Sequence, residues 1–459
     1  LGAISRYFAA AVFVLAPLPL GSLDLAWICF WNFLLICSLL TADLSAVSRR
    51  NAMLLIPLAA AVTAVGIIVA LQMQSSPALQ STTVWELPRQ LFGLALPERL
   101  SVTARGPWLA FGSVLLLSLA FTRAMILASD AGAARSLLRI QAWAGCLYAL
   151  YGILAELIAP DMILFRRKEA YLGFATGTFV NRNTAATFWG TCALLFLVPL
   201  LRTMHRQDGG PPAQSDWRSR LEHILSTPVA LAAGFAICTL ALAMTGSRAG
   251  LLLSAGTFVL AIILYLIPLE LGRSRKWQVL GGSAAAGLLL LQLVGGLVAG
   301  RIVEYGLIDP QRLAAYQASL RILADHSLLG VGLGNFEAVF PANRPAALGS
   351  LGIWDRAHST PLEIAVELGI PTFTVIALAS LWYFYHLFTG SLRRKRDRYI
   401  PIVGASVAVL GVSHSFIDFS LQIPGYGVFF AAIVGCGLAQ SLPSQFRKER
   451  GNSVQVELK

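Results

Sequence analysis

Charge is what this chain has least of. Only 13% of its 459 residues are Asp, Glu, Lys or Arg, against 56% that are hydrophobic, about half the charge of an average soluble domain. Cysteine is present only six times, at Cys29, Cys37, Cys146, Cys192, Cys238 and Cys436. All six fall inside apolar runs, with no Cys-x-x-Cys or paired His/Cys spacing, which excludes a disulfide framework and a zinc site. No Asp-x-Asp occurs to hold a divalent cation. Strands of about 10 residues alternating apolar and polar are missing, which excludes an outer-membrane barrel. No basic face carries interleaved aromatics, so the net charge of +12 does not imply nucleic acid; it reads as attraction to anionic lipid headgroups and as topology.

What is there is a series of apolar runs of roughly 20 residues, the length that crosses about 30 Å of hydrocarbon. They predict an all-α, polytopic transmembrane helical bundle of about 12 spans: 7–21, 23–42, 52–72, 107–128, 138–158, 184–201, 228–244, 250–268, 278–299, 359–387, 400–416 and 425–442. The first run contains Pro17 and Pro19 and no small-residue cleavage site follows it. It is therefore expected to be a retained helix, not a signal peptide. With both termini in the cytoplasm, the inner segments collect Arg49, Arg50, Arg135, Arg139, Arg202, Arg206, Arg273, Arg275, Lys276 and the run Arg393 to Arg398, as the positive-inside rule requires. The organisation expected is nine spans over 1–299, an outer loop at 300–358, three spans over 359–442 and a cytoplasmic tail at 443–459.

Outside the membrane the chain is lopsided. Long outer segments are expected at 73–106, 159–183 and 300–358, and loops of that size carry function or are disordered. In the last, Arg312-Leu-Ala-Ala-Tyr316-Gln-Ala-Ser-Leu320-Arg321-Ile-Leu-Ala324 spaces its apolar residues as an amphipathic helix lying on the outer surface. Gly330-Val-Gly332-Leu-Gly334-Asn335-Phe336 then follows. It imitates part of a phosphate-binding glycine loop, but no strand precedes it, so a tight turn is the reading. An inner segment at 202–227, with Gly209-Gly210-Pro211-Pro212, reads as a flexible linker between two sets of six spans, and the halves show no internal repeat.

Ionisable groups at the mouths of spans are costly enough to be read as sites. Three stand out: Arg182 in Thr178-Phe179-Val180-Asn181-Arg182-Asn183, Arg248 in Thr245-Gly246-Ser247-Arg248-Ala249-Gly250, and His358 where a polar loop turns into an apolar helix. An arginine snorkelling to headgroups competes with the functional reading at both arginine positions. The functional reading is a clamp for an anion, since a guanidinium offers planar, bidentate hydrogen bonds to phosphate. Pro361 suits the first turn of a helix, so the tenth span can begin beside His358. Glu363 and Glu367 lie about 140° and 180° around that helix from His358, away from its face. Glu367 is expected to be structural, bonded to a polar group on a neighbouring span. Glu363 has a surface arginine as one candidate partner. Arg356 is expected either at an anionic ligand or in a salt bridge with Asp355 or Asp309. His414 and Asp418, one turn apart, are expected to bond each other and to support the site indirectly.

Taken in order on one topology, Phe-x-Asn-Arg-Asn, Thr-Gly-Ser-Arg-Ala-Gly-Leu, the run from His326 to Phe336, and His358-x-x-x-Leu362-x-x-x-x-Glu367-x-Gly369 resemble the O-antigen ligase and polymerase superfamily, over about 175–430. The resemblance implies a multi-spanning glycosyltransferase fold of the C type with a helical periplasmic loop, in the bacterial inner membrane. It implies transfer of a glycan from undecaprenyl diphosphate to an acceptor in the periplasm, and it places the family's essential arginines on Arg182 and Arg248 and its loop histidine on His358. Asn181, Asn183, Ser247 and Arg356 are the expected substrate-binding neighbours. The family often has Asn and then an aromatic after the histidine; here Ser359-Thr360-Pro361 follows.

The chemistry agrees with the residues. A histidine, with an ordinary pKa of about 6.5, is suited to take the proton of an acceptor hydroxyl. Two arginines supply the charge that a departing diphosphate needs, without metal or cofactor. The expected partners are a lipid-linked glycan donor, a lipid A core or glycan acceptor, and membrane lipids. Ligation of O-antigen to lipid A core is the first reading and O-antigen or exopolysaccharide polymerisation the second. A secondary transporter would place its charges at the midplane, and a lipid-linked glycan flippase would not need the histidine loop.

Overall fold

The computed structural model describes residues 2–45, 47–74, 90–93, 99–205, 223–269, 274, 281, 310–349 and 354–442. Fourteen helices order these segments. The first six are α1 (Gly2–Leu15), α2 (Leu25–Leu40), α3 (Arg49–Met53), α4 (Ile56–Met73), α5 (Gly106–Ala128) and α6 (Ala131–Ile158). A short antiparallel hairpin follows, β1 (Met162–Ile163) and β2 (Arg166–Arg167). Then come α7 (Arg182–His205), α8 (Pro228–Met244), α9 (Arg248–Leu266), α10 (Pro310–Asp325), α11 (Phe336–Val339), α12 (Thr360–Arg393), α13 (Tyr399–Ser415) and α14 (Pro424–Ala439).

Among the described residues, six helical stretches are long and apolar enough to cross a membrane: Arg49–Met73, Gly106–Ala128, Ala131–Ile158, Arg182–Thr203, Arg248–Leu266 and Thr360–Arg393. Five shorter apolar helices, from Ser5–Leu15 to Pro424–Ala439, occupy other positions where spans are expected. The difference from twelve has local causes. Pro17 and Pro19 stop the first helix at Leu15, because proline lacks the N–H that would continue it. Helices α13 and α14 end at Ser415 and Ala439. The expected ninth span, 278–299, apart from residue 281, and most of the linker at 202–227 lie outside the described residues.

Helix α7 is the most enclosed span, with 83% of its apolar window buried. It packs with α6, α8, α9 and α13, while α5 lies along α14. Small residues let these helices approach: a Cβ on Gly250 would come 2.4 Å from that of Ala186, and one on Gly190 would come 2.2 Å from Ser254 Oγ. That is how membrane helices gain close packing where the hydrophobic effect between them is weak. The six cysteines are all unbridged and all lie in helices, as expected.

Helix α10 differs from the expectation in where its stripe faces. Ala315, Ala318, Ser319 and Ile322 are buried, the three apolar ones packed with Phe336, Phe340, Ala357 and Val366 in a cluster of their own. The amphipathic helix therefore spends its apolar face on the loop and on α12, forming a roof over the start of α12.

Candidate active site

The arginine half of the site is built from two helix starts. Asn181 Oδ1 accepts a hydrogen bond from Asn183 N at 2.7 Å, so the residues flanking Arg182 cap the entry to α7. Ser247 caps α9 by accepting from Gly250 N at 3.2 Å. Its hydroxyl donates in turn to Asn183 Oδ1 at 2.8 Å. That bond ties the two helix starts together and places Arg182 and Arg248, each the first residue of its helix, on the same end of the bundle. The partial positive ends of α7 and α9 are brought together there, each beginning with an arginine, which favours an anion. The Arg182 guanidinium lies 4.6 Å from the Phe174 ring centre and 5.4 Å from that of Tyr171, which orients it without neutralising it. Gly246, at φ +58°, gives Phe174 its seat, since a Cβ there would meet the ring at 2.5 Å.

The histidine half is built from the loop before α12. His358 is in the left-handed region at φ +52°, uncommon for a residue with a side chain. Its neighbours enforce that conformation. Buried Glu363 accepts from Ala357 N at 2.7 Å and from Arg356 at 3.1 Å, and the Tyr316 hydroxyl on α10 donates to His358 O at 2.9 Å. The imidazole is bordered by Trp354 and Phe419, with ring centres 5.3 and 5.2 Å away. Its Nδ1 faces Asp418 Oδ1 at 3.7 Å. At that length it is a polar contact longer than a hydrogen bond. With Nδ1 turned to Asp418, Nε2 is the ring nitrogen left on the other side of the imidazole.

Asp418 is 1% exposed. Burial alone would push its carboxyl up, but contact with His358 and the charges of His414 and Arg312 hold it below the ordinary aspartate range. Its other oxygen accepts from Ser420 Oγ at 3.0 Å, which uses the Ser420 proton. His414 Nδ1, 3.3 Å from the same hydroxyl, is then the donor to it. His414 and Asp418 thus connect through Ser420 and not directly, which corrects the expectation of a bond between them.

Contacts join the two halves. Thr187, one turn into α7, donates to Ser420 at 3.4 Å. Burial pushes the Tyr171 hydroxyl up, Asp418 adds to that shift, and Arg182 and Arg312 oppose it, so one side chain lies within electrostatic reach of both halves. Arg312, on α10, donates to Ile417 O at 2.6 Å beside Asp418.

Other expected roles resolve differently. Arg356 pairs with Glu363 at 3.1 Å and not, among the described residues, with Asp355, while Asp309 lies outside the described residues; the Arg356 side chain is still 37% exposed. Glu367 is structural, but its bonded partner is a loop backbone, not a side chain of a neighbouring span: Oε1 accepts from Phe336 N at 3.0 Å. A span does reach the same place, since Gln72 on α4 donates to the carbonyls of Leu329 and Glu367 at 2.6 and 2.8 Å. The glycine run is the turn expected, with Gly330, Gly332 and Gly334 at φ +68°, +107° and +74°. Sequence reasoning missed Arg312 and Tyr171 as site neighbours, because only the packing of α10 and of the 164–181 loop brings them in.

The fold and this site define a polytopic helical membrane protein with a cationic, histidine-bearing centre at one end. Residues 233–377 match the family model Wzy_C, O-Antigen ligase, which supports, over that stretch, the resemblance to the O-antigen ligase superfamily that the motifs imply. The match covers Arg248, His358, Glu363 and Glu367; Arg182 and Asp418 lie outside it. No curated protein matches the chain.

Proposed function

We propose that the protein is a periplasmic-face glycosyltransferase that moves a glycan from undecaprenyl diphosphate to an acceptor hydroxyl, most specifically O-antigen to lipid A core. The observation that carries this reading is the His358–Asp418 contact at the same bundle end as the tied helix starts of Arg182 and Arg248, in a chain with an O-antigen ligase domain.

In the proposed reaction, His358 Nε2 takes the proton of the acceptor hydroxyl as its oxygen bonds to the anomeric carbon of the donor glycan. The bond from that carbon to the diphosphate oxygen breaks, and its electron pair leaves with the lipid diphosphate. Asp418, anionic and buried, orients the ring and stabilises the imidazolium until the proton passes to solvent. Arg182 and Arg248, with the starts of α7 and α9, hold the charge that grows on the leaving diphosphate. Asn181, Asn183 and Ser247 place these groups, and the exposed part of Arg356 extends the cationic surface toward the donor. The basic ends at Arg135, Arg202 and the run Arg393 to Arg398 orient the bundle with this site in the periplasm. A twelve-span bundle of the C-type glycosyltransferase kind accommodates the described helices.

Reconstitution of the purified protein with lipid-linked glycan and lipid A core tests the reading. Transfer without any nucleotide sugar is expected. Transfer that depends on a nucleotide sugar, or substrate movement across the vesicle with no new glycosidic bond, would overturn it.

A further inference from the structure

At the other end of the bundle the same helices form a second cationic feature, which the transfer reaction does not use. Arg202 lies about 30 Å along α7 from Arg182 at 1.5 Å per residue. There α6, α7 and α8 line a cavity of about 1020 Å³ that takes in Arg135, Arg139, Arg202 and His223 and, among the described residues, no carboxylate. Its composition changes with depth. Along α6 the lining residues Arg135, Arg139 and Trp143 follow at one-turn intervals; along α7 Arg202 is succeeded inward by Pro199 and Phe196. Both helices thus run from charge at the bundle end to aromatic deeper in, where Trp143 and Phe196 meet edge to face at 5.1 Å.

Asp397 engages two of these arginines, at 2.8 Å from Arg135 and 3.5 Å from Arg202. One carboxylate between two guanidinium groups leaves Arg135, Arg202 and Asp397 together with a net positive charge. A neighbouring cavity of about 650 Å³ shares Arg135, Arg202 and Tyr399 and adds the run from Arg393 to Arg398, Asp397 included, so basic side chains line both. Arginines that only set topology need no enclosed space beneath them. A cationic rim over an aromatic floor matches a molecule with a phosphate at one end and hydrocarbon at the other.

We propose that the cavity between α6, α7 and α8 binds an anionic phospholipid, its phosphate among Arg135, Arg139 and Arg202 and its chains toward Trp143 and Phe196. The shared chemistry is a phosphate; the apolar floor selects a lipid over a free phosphate.

The full-length protein, stripped of lipid in detergent, is titrated with phosphatidylglycerol and with phosphatidylcholine and analysed by native mass spectrometry. Phosphatidylglycerol is expected to be retained and phosphatidylcholine lost. Arg139→Gln, which leaves the Asp397 pairs in place, is expected to weaken retention about fivefold, the effect of one arginine at an anionic surface. Phosphatidylglycerol brominated in its chains is expected to quench tryptophan emission in the native protein, with the quenchable part lost in Trp143→Phe. Equal retention of the two lipids, or quenching unchanged by Trp143→Phe, overturns the proposal. So does displacement of the lipid by inorganic phosphate at matched concentration, which would make the site one for free phosphate.

Discussion

His358 is held from several directions, and each hold has a distinct consequence. If Nε2 removes the acceptor proton, His358→Ala lowers the rate of transfer about 100-fold or more, measured with lipid-linked donor in detergent; a loss of a few-fold would reduce the residue to positioning. Asp418→Asn keeps the size of the side chain and removes its charge, so kcat is expected to fall while KM holds. Because the folded carboxyl lies below the ordinary value, its contribution to stability is complete above that value, about 3.9, and is lost as the pH falls through the lowered one. The melting temperature of Asp418→Asn should therefore trail the native protein by a constant margin from about pH 5 to 8, and the margin should close only in stronger acid. A margin that opens toward alkaline pH would contradict the assignment. Arg182→Ala and Arg248→Ala are expected to abolish transfer with normal expression. Lysine at either position should restore little, because an ammonium cannot reproduce the bidentate geometry of a guanidinium; wild-type rates in either alanine variant would remove that arginine from the site.

The element that most depends on local chemistry is the joint between the 327–336 loop and α12. Helix α12 is broken at Gly369, with φ +78° and ψ +163°, and the loop fills the break. Ile370 N donates to Ser327 O at 2.7 Å and Val331 N to Val366 O at 3.0 Å, while Glu367 Oε1 holds Phe336 N. A Cβ on Gly330 would come 2.3 Å from Glu367 O, and one on Gly369 equally close to Leu328 O. Gly330→Ala is therefore expected to cost about 1–3 kcal/mol and to lower transfer with it, read by thermal melting in detergent alongside the assay. An unchanged melting temperature would show that the joint tolerates a side chain. The sequence made the helices legible because apolar runs report burial in lipid directly. Arg182, Arg248 and His358 were legible for the opposite reason, as ionisable groups where charge is expensive. The break at Gly369 was not, because the 359–387 run is apolar on both sides of it and only the close approach of Leu328 reveals the need for glycine. Asp418 was visible as a neighbour of His414, but its contact with His358 joins residues sixty positions apart through the packing of α12 on α13.

On the scale of the whole molecule, charge is partitioned between two ends. One holds His358 with Arg182 and Arg248; the other holds Arg135, Arg139, Arg202 and the Arg393 to Arg398 run. If arginines and helix starts carry the developing charge of the leaving diphosphate, transfer should proceed at full rate in a chelator, and activity lost in chelator and restored by a divalent cation would contradict that mechanism. The acceptor is a separate matter, since ligases and polymerases of this superfamily share donor and chemistry. What favours a ligase is the histidine loop as a folded unit. Helix α10 roofs the start of α12 and bonds the carbonyl of His358, and Trp354 and Phe419 border the imidazole, so the ring is held in fixed surroundings. A site held in this way suits one terminal acceptor better than a growing chain that must enter and leave repeatedly. A deletion strain distinguishes the two. Full-length glycan stranded on its lipid carrier, with bare lipid A core at the surface, is the outcome expected of a ligase. Single repeats attached to the core would instead make the protein a polymerase.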